Sequence, residues 1–165
     1  MASQREWAEG YLEQARADLA AARVLGGREP SAFAMLMQMF FEKLAKAALL
    51  RKGSIDIAWA RSNHRAAGRM VEAMRRQRTL LSPLGGTTVW EDALRVVEAL
   101  ENAHPSVATD GPHLEYPWAN TDGRVSWPAK DLSIAQRLAN PKSNLAPRVL
   151  SFASQLSDKF DQIFP

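Results

Sequence analysis

An all-α fold is the class this sequence predicts, and three observations predict it. Apolar residues recur every three or four positions along four long segments. Helix formers dominate, while aromatic residues are only 8%. Gly26-Gly27, Gly53 and Pro83 with Gly85-Gly86 punctuate the chain between those segments. The expected architecture is an antiparallel up-and-down bundle of four to five longer helices. A short helix and a long Pro- and aromatic-containing loop at 104–130 complete it. The 165 residues suit one domain spanning 1–165. A content of 46% hydrophobic and 24% charged residues is ordinary for a globular chain and excludes a disordered or collagen-like one. With no cysteine, disulfides, thiolate metal sites and thiolate nucleophiles are excluded.

The first helix is expected from Ser3 to Leu25. Ser3 and Glu6 have capping-box spacing, and Trp7, Tyr11, Ala15, Leu19 and Ala22 form one stripe. Ser31 to Lys52 is the most hydrophobic helix and the expected centre of the bundle, through Phe33, Met37, Phe40 and Leu44. A loop at 54–62 leads to a third helix from about Asn63 to Gln77, with Asn63 as its N-cap. A fourth opens at Thr88, where Thr88 and Glu91 have the spacing of a second capping box, and runs to about Ala103.

From His104 to Lys130 periodicity disappears and Pro105, Pro112, Pro117 and Pro128 forbid a long helix. A short hairpin of 115–118 against 124–127 is expected there, around Asn120-Thr121-Asp122-Gly123. Its Tyr116, Trp118 and Trp127 could stack on bases, but the core or an interface is the preferred place for them. A short helix at 131–139 and a last helix from about Asn144 to Phe164 close the chain.

The net charge of +3 hides a local excess. Residues 61–78 hold six arginines and one acid, a formal charge of +5 that leaves −2 for the rest. Arg61, Arg65 and Arg69 are spaced by four, which aligns them on one face if a single helix carries them. Such a strip meets phosphates or an acidic partner, or is simply a solvated face. The N-terminus lacks a signal-peptide core, and no apolar run reaches the ~20 residues needed to span a bilayer. A cytoplasmic protein is the expectation.

Helix two contains Gln38-Met39-Phe40-Phe41-Glu42-Lys43-Leu44-Ala45-Lys46-Ala47, and His64 follows Gly53 by eleven positions. With the amphipathic first helix, this resembles the HEPN (higher eukaryotes and prokaryotes nucleotide-binding) domain over roughly residues 7–74. The resemblance implies a dimeric helical bundle, often found in toxin–antitoxin or defence systems. Many members are metal-independent ribonucleases; others bind nucleotides or pair with a companion nucleotidyltransferase. The ribonucleases carry Arg, four to six residues, then His. Here Arg61 and His64 have two residues between them, Arg95 and His104 have eight, and Arg95 is followed six positions on by Glu101. The motif is therefore absent.

Glu42, Lys46, Arg61, His64, Arg65 and Arg69 are the candidate ligand-binding residues. Glu42 and Lys46 have the favourable i,i+4 order for an ion pair, and His64 could act as base, contact phosphate or orient the helix start against Glu42. Arg95, Asn102 and His104 are the catalytic candidates, with His104 read first as a helix-end cap or loop residue. No His-Glu-x-x-His, phosphate-loop or Gly-x-Ser-x-Gly pattern occurs, so no metal or cofactor is expected. The preferred reading is a non-catalytic, homodimeric subunit associated with a nucleotide, RNA or a nucleotidyltransferase. A metal-independent ribonuclease with a rearranged site and a structural dimerisation module are the alternatives.

Overall fold

The structure, a computed structural model, describes residues 2–26, 28–80, 84–108 and 111–165. It is 69% helical, with one two-stranded ribbon. The expected breaks at Gly27 and Pro83 lie outside the described residues, as do the side chains of Arg75 and Arg78.

Helix α1 (Gln4–Leu25) begins where expected. The Ser3 hydroxyl accepts the Glu6 amide, and the Glu6 carboxylate reaches back to the Ser3 amide, which satisfies two end donors at once. Gly26 ends it at φ 53°, a left-handed conformation that a side chain would strain. Helix α2 (Pro30–Arg51) packs back along α1. It is buried on nearly every side, and Phe33, Met37, Phe40, Phe41 and Leu44 are at most 1% exposed. It also touches the fourth, fifth and seventh helices, so it is the central rod of the bundle.

The expected loop at 54–62 is instead part helix. Asp56 accepts the Trp59 amide and opens α3 (Ile57–Ser62). Asn63 ends α3 and accepts the Arg65 amide rather than capping the next helix. Helix α4 (Ala66–Arg75) follows. Arg61 and Arg69 therefore stand on different helices with Arg65 in the turn between them, and the expected single arginine face does not form. The reason is local: the Asn63 side chain stabilises a turn more than a continuous helix.

Helix α5 (Gly86–Asn102) starts at Gly85, without a side-chain cap. Thr88 lies inside its first turn, so the expected capping box is absent. Strands β1 (Trp118–Ala119) and β2 (Val125–Ser126) pair antiparallel, a shorter hairpin than expected. The short helix expected at 131–139 is α7 (Ser133–Ala139), and a separate helical turn, α6 (Pro128–Asp131), forms before it where loop was expected. The last helix is divided at Lys159, into α8 (Leu145–Asp158) and α9 (Phe160–Ile163). Helix α8 packs on α5, and Phe152 meets both Phe41 and Trp90 to close the core.

Candidate functional site

Polar side chains converge on the middle of α2. Gln38, Glu42 and Lys46 are spaced by four and share one face of that helix. All three are buried, at 4%, 7% and 4% exposure. Lys46 Nζ donates to Glu42 Oε1 at 2.6 Å, and Gln38 Nε2 donates to Glu42 Oε2 at 2.7 Å. Burial alone would raise the Glu42 pKa. The hydrogen bonds from Lys46 and Gln38, with the charges of Lys46 and His64, outweigh it and hold the carboxyl below its usual range.

Two histidines arrive from outside the long helices. His64, in the turn between α3 and α4, sets its Nδ1 3.1 Å from Glu42 Oε1. An ionised carboxylate only accepts, so His64 Nδ1 donates this hydrogen bond. His104, just beyond α5, stacks on His64 with ring centroids 4.3 Å apart and planes 15° apart. Its Nδ1 accepts the Ser106 amide at 3.1 Å, and its Nε2 stands 3.9 Å from Glu42 Oε2, beyond hydrogen-bond reach. Burial lowers the His104 pKa, against the raising effect of Glu42, and keeps this ring neutral. His64 is the more open of the two, with 33% of its side chain exposed against 13% for His104.

The network continues on either side. Lys46 Nζ also lies over the Tyr11 ring at 5.7 Å, and the Tyr11 hydroxyl donates to the Ala60 carbonyl. Burial and the Glu42 charge together raise the Tyr11 pKa. Tyr11 and Trp7 line a cleft of ≈340 Å³ with Gly10, Gln14 and Lys43. The Arg61 guanidinium stacks over Trp7 at 5.7 Å and that of Arg69 over Trp59 at 4.6 Å.

The candidates thus divide. Glu42, Lys46, His64 and His104 come together. Arg61 lies over Trp7, Arg69 lies over Trp59, and Arg65 sits exposed in the turn. Arg95 is not among the converging groups: its side chain is 68% exposed and pairs at 3.9 Å with Glu91. Asn102 is exposed too. Of the loop aromatics, Trp118 is buried at 8%, with its Nε1 donating to Asn120 Oδ1. Tyr116 and Trp127 are 59% and 42% exposed, and Lys130 covers the Trp127 ring.

Sequence reasoning missed three participants. Gln38 had a signal, its position one turn before Glu42 on the same face. Tyr11 was read only as part of an apolar stripe, although a tyrosine facing a core needs a partner for its hydroxyl. Glu101 gave no signal: its carboxylate accepts the Gly68 amide at 2.8 Å at the start of α4, a helix that the sequence appeared to begin elsewhere.

Chemically, a buried carboxylate that holds one imidazole can orient a base, and the donors of Glu42, His64 and His104 have the composition of a metal site. No family model, no curated protein and no solved structure matches this chain. Among the described residues no helix is long and apolar enough to cross a membrane.

Proposed function

We propose that this chain is a HEPN-like helical subunit that binds a nucleotide or a short stretch of RNA, in the cytoplasm and as a homodimer. The observation that supports it best is the cleft beside the polar cluster. Trp7 and Tyr11 offer aromatic rings to a base, and the exposed Arg61, whose guanidinium lies over Trp7, offers N–H donors to phosphate. A contact chain from Tyr11 through Lys46 and Glu42 to His64 joins this cleft to the helix-two residues that carry the resemblance. A companion nucleotidyltransferase, in a toxin–antitoxin or defence setting, belongs to the same reading. Exposed Tyr116, Val125 and Trp127, on or beside the β1–β2 ribbon, offer apolar groups to a second copy.

The test is thermal unfolding against a nucleotide and short-RNA panel, with the RNA then run on a gel. Ligand at 100 times its Kd adds about 2.7 kcal/mol of stability. Gly10 provides the control, because a Cβ built there meets nothing within 4 Å. Gly10→Leu should fold, fill the cleft and abolish the shift. A shift that persists in Gly10→Leu places binding elsewhere, and no shift with any member of the panel removes the reading.

One observation favours a second reading, a metal-independent ribonuclease. Glu42 accepts from His64 Nδ1 and fixes the ring, as a carboxylate orients the imidazole of a general base. RNA cut in the presence of EDTA and left intact by His64→Ala would establish it. That site would differ from one built on Arg95 and Asn102, which stand apart from the cluster.

A further inference from the structure

Glu42, His64 and His104 each bring a donor atom to within 4.8 Å of the others. We propose that these three residues bind a divalent first-row transition metal of the zinc, cobalt or nickel class. The site is independent of nucleotide binding and goes beyond it.

The donor set selects the class. Two imidazole nitrogens and one carboxylate oxygen suit zinc and its neighbours, whereas calcium and magnesium need a shell of oxygens. The geometry is close to closure. Tetrahedral donors around zinc stand about 3.3 Å apart, given metal–ligand bonds of ~2.0–2.1 Å. His64 Nδ1 stands 3.1 Å from Glu42 Oε1 and His104 Nε2 stands 3.9 Å from Glu42 Oε2; with one donor atom taken per residue, the set lies within 4.8 Å and must draw in around an ion. Glu42 is fixed on the central helix, while both histidines lie outside helices, so the rings can move inwards. His104 is placed against Glu42 without a hydrogen bond to it, and a shared cation supplies the missing interaction. The partly open side at His64 leaves a fourth position for water.

Three contacts oppose the ion and define its signature. Coordination through His64 Nδ1 removes the proton that this nitrogen donates to Glu42. Lys46 already serves as the counter-cation of Glu42, at 2.6 Å, so metal must displace its ammonium towards the Tyr11 ring. Coordination through His104 Nε2 moves that ring's proton to Nδ1, so the Ser106 amide loses its acceptor.

The test uses the full, tag-free chain, stripped with chelator and titrated with Co2+. One tetrahedral Co2+ per chain, seen by its visible ligand-field bands and displaced by Zn2+, is expected. His104→Ala should weaken binding roughly tenfold or more, since even outer-shell partners of metal ligands are worth that much. Lys46→Met should bind more tightly than the natural chain, because the competing cation is gone. If that variant unfolds without metal, Zn2+ should restore its fold. Amide exchange at Ser106 should quicken when Zn2+ is added. The proposal is overturned if neither the natural chain nor Lys46→Met gives tetrahedral Co2+ bands. It is equally overturned if His104→Ala and Glu42→Gln bind as the natural chain does, which would place the ion on the surface.

Discussion

Glu42 is an anion inside the protein because its neighbours make it one. Lys46 supplies the charge, Gln38 a neutral donor and His64 an N–H. Removing the carboxylate charge leaves a lysine whose side chain is only 5% exposed. Breaking a buried pair from one side costs about 3–5 kcal/mol, so Glu42→Gln should lose that much in a denaturant titration. Lys46→Met should lose less, because Gln38 and His64 still donate to the remaining anion. The double variant should be more stable than Glu42→Gln alone; strictly additive losses would mean that the pair is uncoupled.

Glu101 behaves in the opposite way. Burial pushes its carboxyl above the usual range, the Glu42 charge adds to this, and the Gly68 amide and Arg65 oppose it. The fold therefore favours protonated Glu101. Its contribution to stability is full below about pH 4.5 and is lost as pH rises through the raised value. Glu101→Gln keeps an acceptor for Gly68 without the charge. Unfolding measured from roughly pH 4 to 7 should fall less steeply for this variant than for the natural chain. A parallel pair of curves would show that Glu101 does not contribute.

Elements start where a cap or a turn allows, and the structure separates real caps from apparent ones. Ser3 caps α1 reciprocally with Glu6, and Asp56 caps α3. Ser3→Ala and Asp56→Ala should each cost about 1 kcal/mol. Thr88 has the same spacing to Glu91 as Ser3 has to Glu6, yet α5 begins at Gly85 and Thr88 caps nothing. Thr88→Ala should change stability by less than about 0.5 kcal/mol. Thermal unfolding of the three variants side by side checks the contrast. The same element logic explains why α3 was missed. Six residues are too few to show a helical period, and only Asp56 marked the start. It also explains the divided arginines, since a strip spaced by four has meaning only along an unbroken helix.

At the scale of the molecule, α2 organises everything else. Helices from both halves of the chain pack on it, and its phenylalanines are fully enclosed. Phe40 is 0% exposed and stacks edge-on with Phe41, so Phe40→Ala should cost about 3–5 kcal/mol, measured by denaturant unfolding. Because α2 is enclosed, its polar face can only look inwards. Gln38, Glu42 and Lys46 are therefore forced to find partners within the fold: Gln38 and Lys46 both donate to Glu42, and His64 adds a third donor. Centrality and the polar cluster are one fact seen twice.

The all-α class, the span of α1 and α2 and the burial of α2 could be read from the chain, because period, caps and breakers are local properties. Glu42, Lys46 and His64 could be singled out for the same reason, as chemically able residues at helical spacing. Their assembly could not. His104 stands 62 positions after Glu42 and reads as a helix-end residue, and only the packing of α5 against α2 and α4 sets its ring on His64. Arg95 and Asn102 read as well as His104 did, but they lie on the outer side of α5. Spacing along a chain fixes which side chains share a face of one helix. Which faces meet is decided by the burial of apolar surface over the whole molecule, and that is where the site was made.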